Sequence, residues 1–221
     1  MSVLDRICGF IVPHLCVGCS YEGTLLCSAC RLKLLSVDSG CFSCQKSTKN
    51  QLSCSDCIIK TGLLAVHTAT TYDDIAKELV WRLKFTGARQ AATVMVKVMA
   101  QCYAPPRNTY VVPIPTATGR ARQRGYDQAV LLAMNYAQQT GASYLHCLRR
   151  LGQKQQRGAG RNERKQQLEG VYRLVKAKQL VGSKVLLIDD VTTTGATLEA
   201  AAKILLTAGA KNVQAVVFAK A

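Results

Sequence analysis

Val185–Thr197 reads VLLIDDVTTTGAT. Its first four residues form a continuous apolar run, which is typical of a strand covered on both faces of a sheet. Two adjacent acids, Asp189 and Asp190, follow the run, and a loop rich in threonine and glycine comes next. A helix is predicted for residues 197–208, because apolar residues recur there at helical spacing until Gly209. The stretch therefore predicts a strand, a polar loop and a helix in immediate succession.

The chain from about residue 66 onward repeats this alternation of strand and helix. Strands are predicted at residues 65–72, 110–114, 143–147, 184–188 and 213–219, and helices at 75–85, 88–103, 127–140 and 197–208. Such an alternation favours an α/β fold with a mostly parallel sheet and helices on both faces. Ligands of such sheets bind beyond the carboxyl ends of the strands. We therefore expect the functional site where Asp189 and the loop after it leave the sheet.

The loop Thr193–Thr197 has the chemistry of a phosphate site. Backbone amides at the start of a helix, with threonine hydroxyls beside them, can hold a phosphate, and Gly195 allows the backbone to approach it closely. Asp189 and Asp190 would repel that phosphate, so they are expected to face sugar hydroxyls or a bound Mg²⁺. A phosphate and a diol held this close together are the two groups of a ribose 5-phosphate, which is therefore the predicted ligand. The alternative is a capped turn without a ligand, in which a threonine serves as the N-cap.

The N-terminal part of the chain carries four Cys-x-x-Cys pairs. They are Cys16/Cys19, Cys27/Cys30, Cys41/Cys44 and Cys54/Cys57. Two residues between thiolates let a tight turn aim both sulfurs at one ion, and two such turns complete a tetrahedral Zn²⁺ site. Eight ligands therefore imply two zinc sites. Consecutive pairing would give two small ribbons, whereas interleaved pairing would give a cross-braced module; the similar intervening lengths of 7 and 9 residues favour the ribbons.

Disulfides, an iron–sulfur cluster and redox dithiols are the alternative uses of these cysteines. Disulfides need an oxidising compartment, but the stretch MSVLDRICGFIVPHLCVGC has a mixed start and no small-residue cleavage site, unlike a signal peptide. Four pairs fit a single redox centre poorly. Structural zinc and a cytoplasmic location are therefore predicted. No apolar run approaches the ~18 residues of a membrane span, so no integral membrane segment is expected.

The net charge of +16 is concentrated in one part of the chain. Residues 120–184 carry 14 basic and 3 acidic side chains, which is +11 of the total. A concentrated excess of this kind indicates a site for an anionic partner. The alternatives are a solvated basic loop and a surface that binds nucleic acid through its phosphates. Aromatic residues for base stacking are few in this stretch, which argues against the nucleic-acid surface.

The stretch at 185–197 resembles the 13-residue signature of the type I phosphoribosyltransferases, which bind 5-phosphoribosyl-1-diphosphate (PRPP). The resemblance implies that Asp189 and Asp190 hold the ribose hydroxyls and take part in catalysis. It also implies that the next residues of the loop hold the 5-phosphate: Thr193, Thr194, Gly195, Ala196 and Thr197. The lysine pattern of a Walker A motif is absent, which argues against an NTPase.

Other motifs are similar to those of the ComF family, and the match extends over nearly the whole chain. They are the cysteine ribbons ahead of the phosphoribosyltransferase signature, Leu83-Lys84-Phe85, Val112-Pro113-Ile114-Pro115 and Arg124-Gly125-Tyr126-Asp127-Gln128. Proteins of that family are associated with DNA uptake in competent bacteria. The chain departs from the family pattern at Asp127, where asparagine is usual, and also at Gln153, Ala159 and Gln167.

Transfer of the ribosyl group of PRPP releases pyrophosphate, whose negative charge must be neutralised by surrounding cations. The candidates for a pyrophosphate loop after the VPIP turn are Arg120, Arg122 and Arg124. A second set is predicted to lie on a flexible catalytic loop that closes over the site and excludes water: Arg157, Arg161 and Arg164. Lys84 is a further candidate PRPP contact.

Together these features predict a double zinc ribbon over residues 1–62 and a type I phosphoribosyltransferase-like domain over residues 63–221. The predicted function is that of a phosphoribosyltransferase, a glycosyltransferase that binds Mg-PRPP and transfers or releases its ribose 5-phosphate, linked to DNA uptake. The expected cofactors are two structural zinc ions and Mg²⁺ with PRPP, and single-stranded DNA and other DNA-uptake proteins are candidate partners. The alternative is a non-catalytic DNA-binding competence factor whose PRPP site is regulatory or vestigial.

Overall fold

The computed structural model describes residues 15–34, 40–86, 89–116, 121, 123–151, 171–175 and 178–221. The helices in these ranges are α1 (Ser28–Leu34), α2 (Ser55–Thr61), α3 (Asp74–Phe85), α4 (Arg89–Cys102), α5 (Gln128–Thr140) and α6 (Ala196–Thr207). The strands are β1 (Leu63–Thr71), β2 (Thr109–Pro113), β3 (Ser143–Tyr144), β4 (Leu148–Arg150), β5 (Tyr172–Leu174), β6 (Lys184–Thr192) and β7 (Asn212–Lys220). Two short 3₁₀ helices lie at Lys49–Gln51 and Lys178–Leu180.

Five strands form one sheet in the order β1-β7-β6-β2-β3, and every neighbouring pair in it is parallel. The prediction of a parallel sheet in an α/β fold is therefore confirmed. Because all five strands run in the same direction, their carboxyl ends meet at one edge of the sheet. The remaining two strands, β4 and β5, form a separate antiparallel pair that the sequence did not predict. Three-residue strands carry too little periodicity to be recognised.

The central strand β6 is buried on both faces, as its apolar run predicts. Leu186 and Ile188 belong to a hydrophobic cluster that also contains buried residues of α3, α4 and α5. Val185 and Leu187, which point to the other face, belong to a second cluster with buried residues of α6. Alternate side chains of a strand point to opposite faces, so each face of the sheet has its own core. The run VLLI thus holds the acids that follow it on a rigid, fully packed strand.

The two cysteine segments pack onto the same sheet, one in each of its two hydrophobic clusters. Cys16, Cys30 and Leu34 are buried in the cluster that contains α3 and α4, whereas Phe42 is buried in the cluster that contains α6. The second segment is also bonded to β1, since the Ser53 amide donates a hydrogen bond to the Leu64 carbonyl (2.9 Å). The division of the chain at residue 62 remains a prediction. Among the described helices, none has both the length and the apolar character that crossing a bilayer requires.

Candidate functional site

The eight paired cysteines form two clusters of four thiols. In each cluster the four sulfur atoms lie within 4.8 Å of one another. One cluster contains Cys16, Cys19, Cys27 and Cys30, and the other contains Cys41, Cys44, Cys54 and Cys57. The pairing is therefore consecutive along the chain, which is the arrangement that the similar intervening lengths favoured.

The geometry of both clusters fits a tetrahedral metal ion. The sulfur atoms of Cys19 and Cys27 are 3.7 Å apart, and those of Cys44 and Cys54 are 3.6 Å apart. Four thiolates at about 2.3 Å from a zinc ion would lie about 3.8 Å from one another. Soft thiolate donors in a closed set of four are typical of structural zinc. The two clusters thus suit the two zinc ions predicted from the spacing.

In each cysteine cluster, backbone amides stabilise the thiolate form of one of the four cysteines. The amide of Cys27 donates a hydrogen bond to the Cys16 sulfur (3.3 Å). Burial raises the pKa of the Cys16 thiol, but amides of Cys27, Gly18 and Cys19 outweigh it and lower this pKa to about 6. Burial and the neighbouring thiols raise the pKa of Cys30 to about 12. One thiolate therefore forms readily and the last one only with a cation, as expected of a metal centre.

The loop after β6 leads directly into α6 through a left-handed glycine. Gly195 adopts a left-handed conformation (φ 76°) and is the N-cap residue of α6. Thr193 and Thr194 before it are exposed, and the Thr194 hydroxyl accepts a hydrogen bond from the Ala196 amide (3.4 Å). The first amides of a helix have no partner within that helix and carry partial positive charge. The described loop therefore offers amides and hydroxyls to an anion at the carboxyl edge of the sheet.

The two acids that precede this loop lie in different environments. The Asp190 side chain is 6% exposed, and its Oδ2 lies 2.7 Å from the ammonium group of Lys84 on the last turn of α3. Asp189 is partly exposed and its Oδ1 accepts a hydrogen bond from the Asp190 amide (2.8 Å). Its partial burial, together with the negative charge of Asp190, raises the pKa of Asp189 well above its ordinary value. Asp190 is thus held by a cation, while Asp189 is the acid that can meet a ligand.

A cleft lies beside Lys84. It has a volume of about 270 Å³ and is lined by Lys84, Phe85, Gln123, Arg124 and Tyr126. The Arg124 guanidinium lies 5.4 Å from the centre of the Phe85 ring, and its Nη1 donates a hydrogen bond to Gln128 (2.8 Å). The Tyr126 hydroxyl donates to the Leu83 carbonyl and so ties this segment to the end of α3. The cleft is therefore lined by two cations, one of which, Lys84, contacts Asp190.

The structure thus brings together part of the predicted site: the acids, the threonine–glycine loop, Lys84 and, in the neighbouring cleft, Arg124. The remaining predicted cations lie outside the described residues; they are Arg120, Arg122, Arg157, Arg161 and Arg164. Their roles remain predictions.

Comparison with known proteins assigns the chain to a family. Residues 127–221 match a family described as "Phosphoribosyl transferase domain". The chain is 31% identical over 195 residues to competence protein ComFC of Bacillus subtilis (strain 168), covering 83% of this chain and 79% of that protein. It belongs to the ComF family. ComFC of Streptococcus pneumoniae (strain ATCC BAA-255 / R6) is 29% identical over 197 residues, covering 87% of this chain and 86% of that protein.

Membership in the ComF family confirms the resemblance on which the motif assignments depend. Among solved structures, the chain is similar to the "allosteric regulatory enzyme of purine biosynthesis", with a TM-score of 0.43 and 17% identity. That likeness covers 77% of this chain but only 31% of the enzyme. The chain therefore spans about a third of that enzyme's length, and a likeness at this level says nothing of activity.

Asp127, one of the four departures from the ComF pattern, has a structural role that the motifs did not predict. Its carboxylate caps α5 by accepting a hydrogen bond from the Ala129 amide (3.0 Å). The same carboxylate accepts hydrogen bonds from both the amide (2.9 Å) and the hydroxyl (3.1 Å) of Thr116. An aspartate ahead of a helical pattern is a common N-cap, so the cap itself was predictable. The bonds to Thr116 were not, because they join α5 to the turn after β2.

Proposed function

We propose that this ComF-family chain binds Mg-PRPP at the carboxyl edge of its sheet and transfers or releases the ribose 5-phosphate group. The observation that carries the proposal is the succession of two acids and a threonine–glycine loop at the end of β6, with the Lys84 ammonium 2.7 Å from Asp190. A sugar phosphate presents hydroxyls and a phosphate within one small molecule. Acids and helix-terminal amides on neighbouring residues match those two groups.

The 5-phosphate would bind at the loop of residues 193–197. The exposed hydroxyls of Thr193 and Thr194 and the first amides of α6 supply hydrogen-bond donors, and the helix dipole favours the negative charge. The left-handed Gly195 (φ 76°) turns the backbone into the helix, and a residue with a Cβ rarely adopts that conformation. The loop therefore has the donors and the shape for a phosphate group.

The ribose hydroxyls would bind to the acid pair. Asp189 is the more exposed of the two acids, and its carboxylate can accept hydrogen bonds from neighbouring hydroxyls. Lys84 would orient Asp190 on the buried side of the pair, since its ammonium contacts Oδ2. Lys84 is then a positioning residue for the acids as well as a cation near the ligand.

In the proposed reaction, the bond between C1 of the ribose and the diphosphate oxygen breaks, and an acceptor or a water molecule forms the new bond to C1. The leaving group is pyrophosphate, and the nucleophile loses its proton. Arg124 and Lys84 line one cleft, Lys84 contacts Asp190, and the two cations would stabilise the charge on the leaving group. The carboxylates and the diphosphate oxygens are the donors that Mg²⁺ prefers, and the ion would add positive charge there.

Calorimetric titration of the zinc-loaded chain with Mg-PRPP tests this proposal. We expect saturable binding at one site, and we expect that PRPP without Mg²⁺ binds more weakly, because the diphosphate charge is then less neutralised. Ribose 5-phosphate serves as the matched control ligand: it retains the phosphate and the hydroxyls, so it should bind with reduced affinity. Absence of any heat of binding with Mg-PRPP would overturn the proposal.

A second candidate function is binding of single-stranded DNA, and exposed aromatic residues favour it. Trp81 and Phe85, one helical turn apart on α3, are 50% and 66% exposed, and their ring centres are 6.4 Å apart. Arg124 lies over the Phe85 ring. Bases of single strands stack on such rings while cations contact the phosphates. The names of the curated relatives, which refer to competence, agree with a role in DNA handling.

Trp81→Ala is expected to weaken binding of a fluorescent single-stranded oligonucleotide by about tenfold, since stacking of one base contributes ~1–3 kcal/mol. Fluorescence anisotropy at fixed salt measures the affinity. Tyr21→Ala is the matched control, because Tyr21 is another exposed aromatic residue (67% exposed) and belongs to the first cysteine segment, outside α3. Equal affinities of the two variants would argue against α3 as the DNA surface. The cytoplasmic location and an association with other DNA-uptake proteins remain predictions.

A further inference from the structure

The cluster of Cys41, Cys44, Cys54 and Cys57, called the second cysteine cluster below, lies against the proposed phosphate loop at residues 193–197. Phe42 occupies the first position after Cys41 in that cluster and is 9% exposed. Its ring packs on Gly195: a Cβ at residue 195 would lie only 2.6 Å from Cε1 of Phe42. The ring therefore occupies the space that a side chain at the N-cap of α6 would need. Because the ring fills the space beside the Gly195 backbone, the position of the ring and the position of the loop backbone depend on each other.

The backbone of Phe42 is itself held by the turn between Cys41 and Cys44. The Phe42 carbonyl accepts a hydrogen bond from the Gln45 side chain (2.8 Å). The backbone amide of Gln45 donates a hydrogen bond to the Cys41 carbonyl (2.8 Å), which closes the turn. Because the same turn aims two sulfurs at the metal position, a bound ion would restrict the turn and, with it, the ring.

The ring also contacts the end of β7. The ammonium group of Lys220 lies 5.0 Å from the centre of the Phe42 ring, in a cation–π contact. Lys220 is paired with Thr192, the last residue of β6, in the parallel register of the sheet. Phe42 thus joins three elements: the cysteine turn, the loop after β6 and the carboxyl end of β7.

We propose that Phe42 is a positioning residue that transmits the order of the second cysteine cluster to the phosphate loop, so that a chain with a metal-filled second cluster holds this loop ready for an anionic ligand. The inference rests on the proposed function, because the ligand of the loop is PRPP. Its physical basis is preorganisation. A loop already held in its binding conformation loses less conformational freedom when the ligand arrives, and the ligand binds more tightly.

The first cluster supplies a matched control. Val17 has the position after Cys16 that Phe42 has after Cys41, but Val17 packs against the hydrophobic cluster on the other face of the sheet. A change in Val17 alters the equivalent position of a cysteine turn without touching the phosphate loop. Effects specific to Phe42 are thereby separated from a general loosening of a cysteine segment.

The experiment compares wild type, Phe42→Ala, Phe42→Leu and Val17→Ala in three measurements: zinc content, hydrogen exchange of the amides at residues 193–197, and Mg-PRPP affinity by calorimetry. For Phe42→Ala we expect unchanged zinc content, faster exchange in the loop and about tenfold weaker PRPP binding. Phe42→Leu should fall between wild type and Phe42→Ala, because it retains part of the apolar contact. Val17→Ala should match wild type in loop exchange and affinity.

Each outcome decides the inference or the proposed function. Loop exchange and PRPP affinity of Phe42→Ala equal to those of Val17→Ala would overturn the inference while the proposed function stands. A wild-type chain that fails to bind PRPP would overturn the proposed function, and the exchange measurement, which needs no ligand, would still decide whether Phe42 orders the loop. If Phe42→Ala loses zinc, Phe42→Leu is judged by the same two measurements.

Discussion

Replacement of both Asp189 and Asp190 by asparagine is expected to weaken Mg-PRPP binding by at least about 100-fold. A hydrogen bond to a charged group contributes roughly 1.5–3 kcal/mol, so loss of two carboxylates from a diol site reaches a factor of this size. Calorimetric titration measures the loss. Binding of single-stranded DNA by the same variant should be unchanged if α3 forms the DNA surface. Equal losses of PRPP and DNA binding would contradict a separate sugar-phosphate site.

The single variants provide the control, because the two acids should affect stability in opposite directions. The raised pKa of Asp189 follows first from its burial and then from the charge of Asp190. An acid with a raised folded-state pKa stabilises the fold below its unfolded pKa, and this contribution is lost as the pH rises through the folded pKa. Asp189→Asn should therefore raise Tm near neutral pH by a few degrees, and this advantage should disappear in acid.

Asp190→Asn should instead lower Tm by roughly 5 °C, because it leaves the ammonium of Lys84, which is only 22% exposed, without its partner. Thermal unfolding followed between about pH 4 and 8 distinguishes the two variants. A lower Tm of Asp189→Asn at neutral pH would mean that the acid is ionised and well satisfied in the free chain. The expected pattern is that of a ligand site in which Asp189 lowers the stability of the chain without its ligand.

Removal of metal from the cysteine clusters is expected to lower Tm by more than about 10 °C. Structural zinc contributes on the order of 10–16 kcal/mol to the folding of small cysteine-rich segments. The effect should reach beyond the clusters, because Cys16, Cys30 and Leu34 are part of the hydrophobic cluster shared with α3 and α4. Calorimetric unfolding before and after treatment with a chelator measures the loss, and added zinc should restore the original Tm.

Cys102→Ala is the matched control for metal removal. Cys102 lies outside both clusters, and its thiol donates to the Thr68 carbonyl (3.5 Å), so the variant should retain its zinc and most of its stability. Zinc release should also become easier in acid, since the ligands must be deprotonated to bind the ion. A Tm that is insensitive to the chelator, with the metal demonstrably gone, would show that the clusters fold without an ion.

Local features of the chain were predicted correctly because their physical causes are local. The apolar run at 185–188 predicted β6, and its side chains alternate between two cores. Two-residue spacings between cysteines predicted two metal clusters, and the sulfurs meet within 4.8 Å. The pair β4–β5 escaped prediction because each strand has only three residues. The bonds from Asp127 to Thr116 escaped it because they link separate elements.

The sequence by itself determined the fold class, the four Cys-x-x-Cys pairs as metal ligands and the position of the acids ahead of a threonine–glycine loop. All of these depend on the spacing of residues that are neighbours in the chain, so periodicity and turn chemistry suffice to predict them. Only the tertiary structure decided that Lys84 contacts Asp190 and that Phe42 packs on Gly195. These partners are far apart in the chain, and the packing of α3 and of the second cysteine turn onto the sheet brings them together.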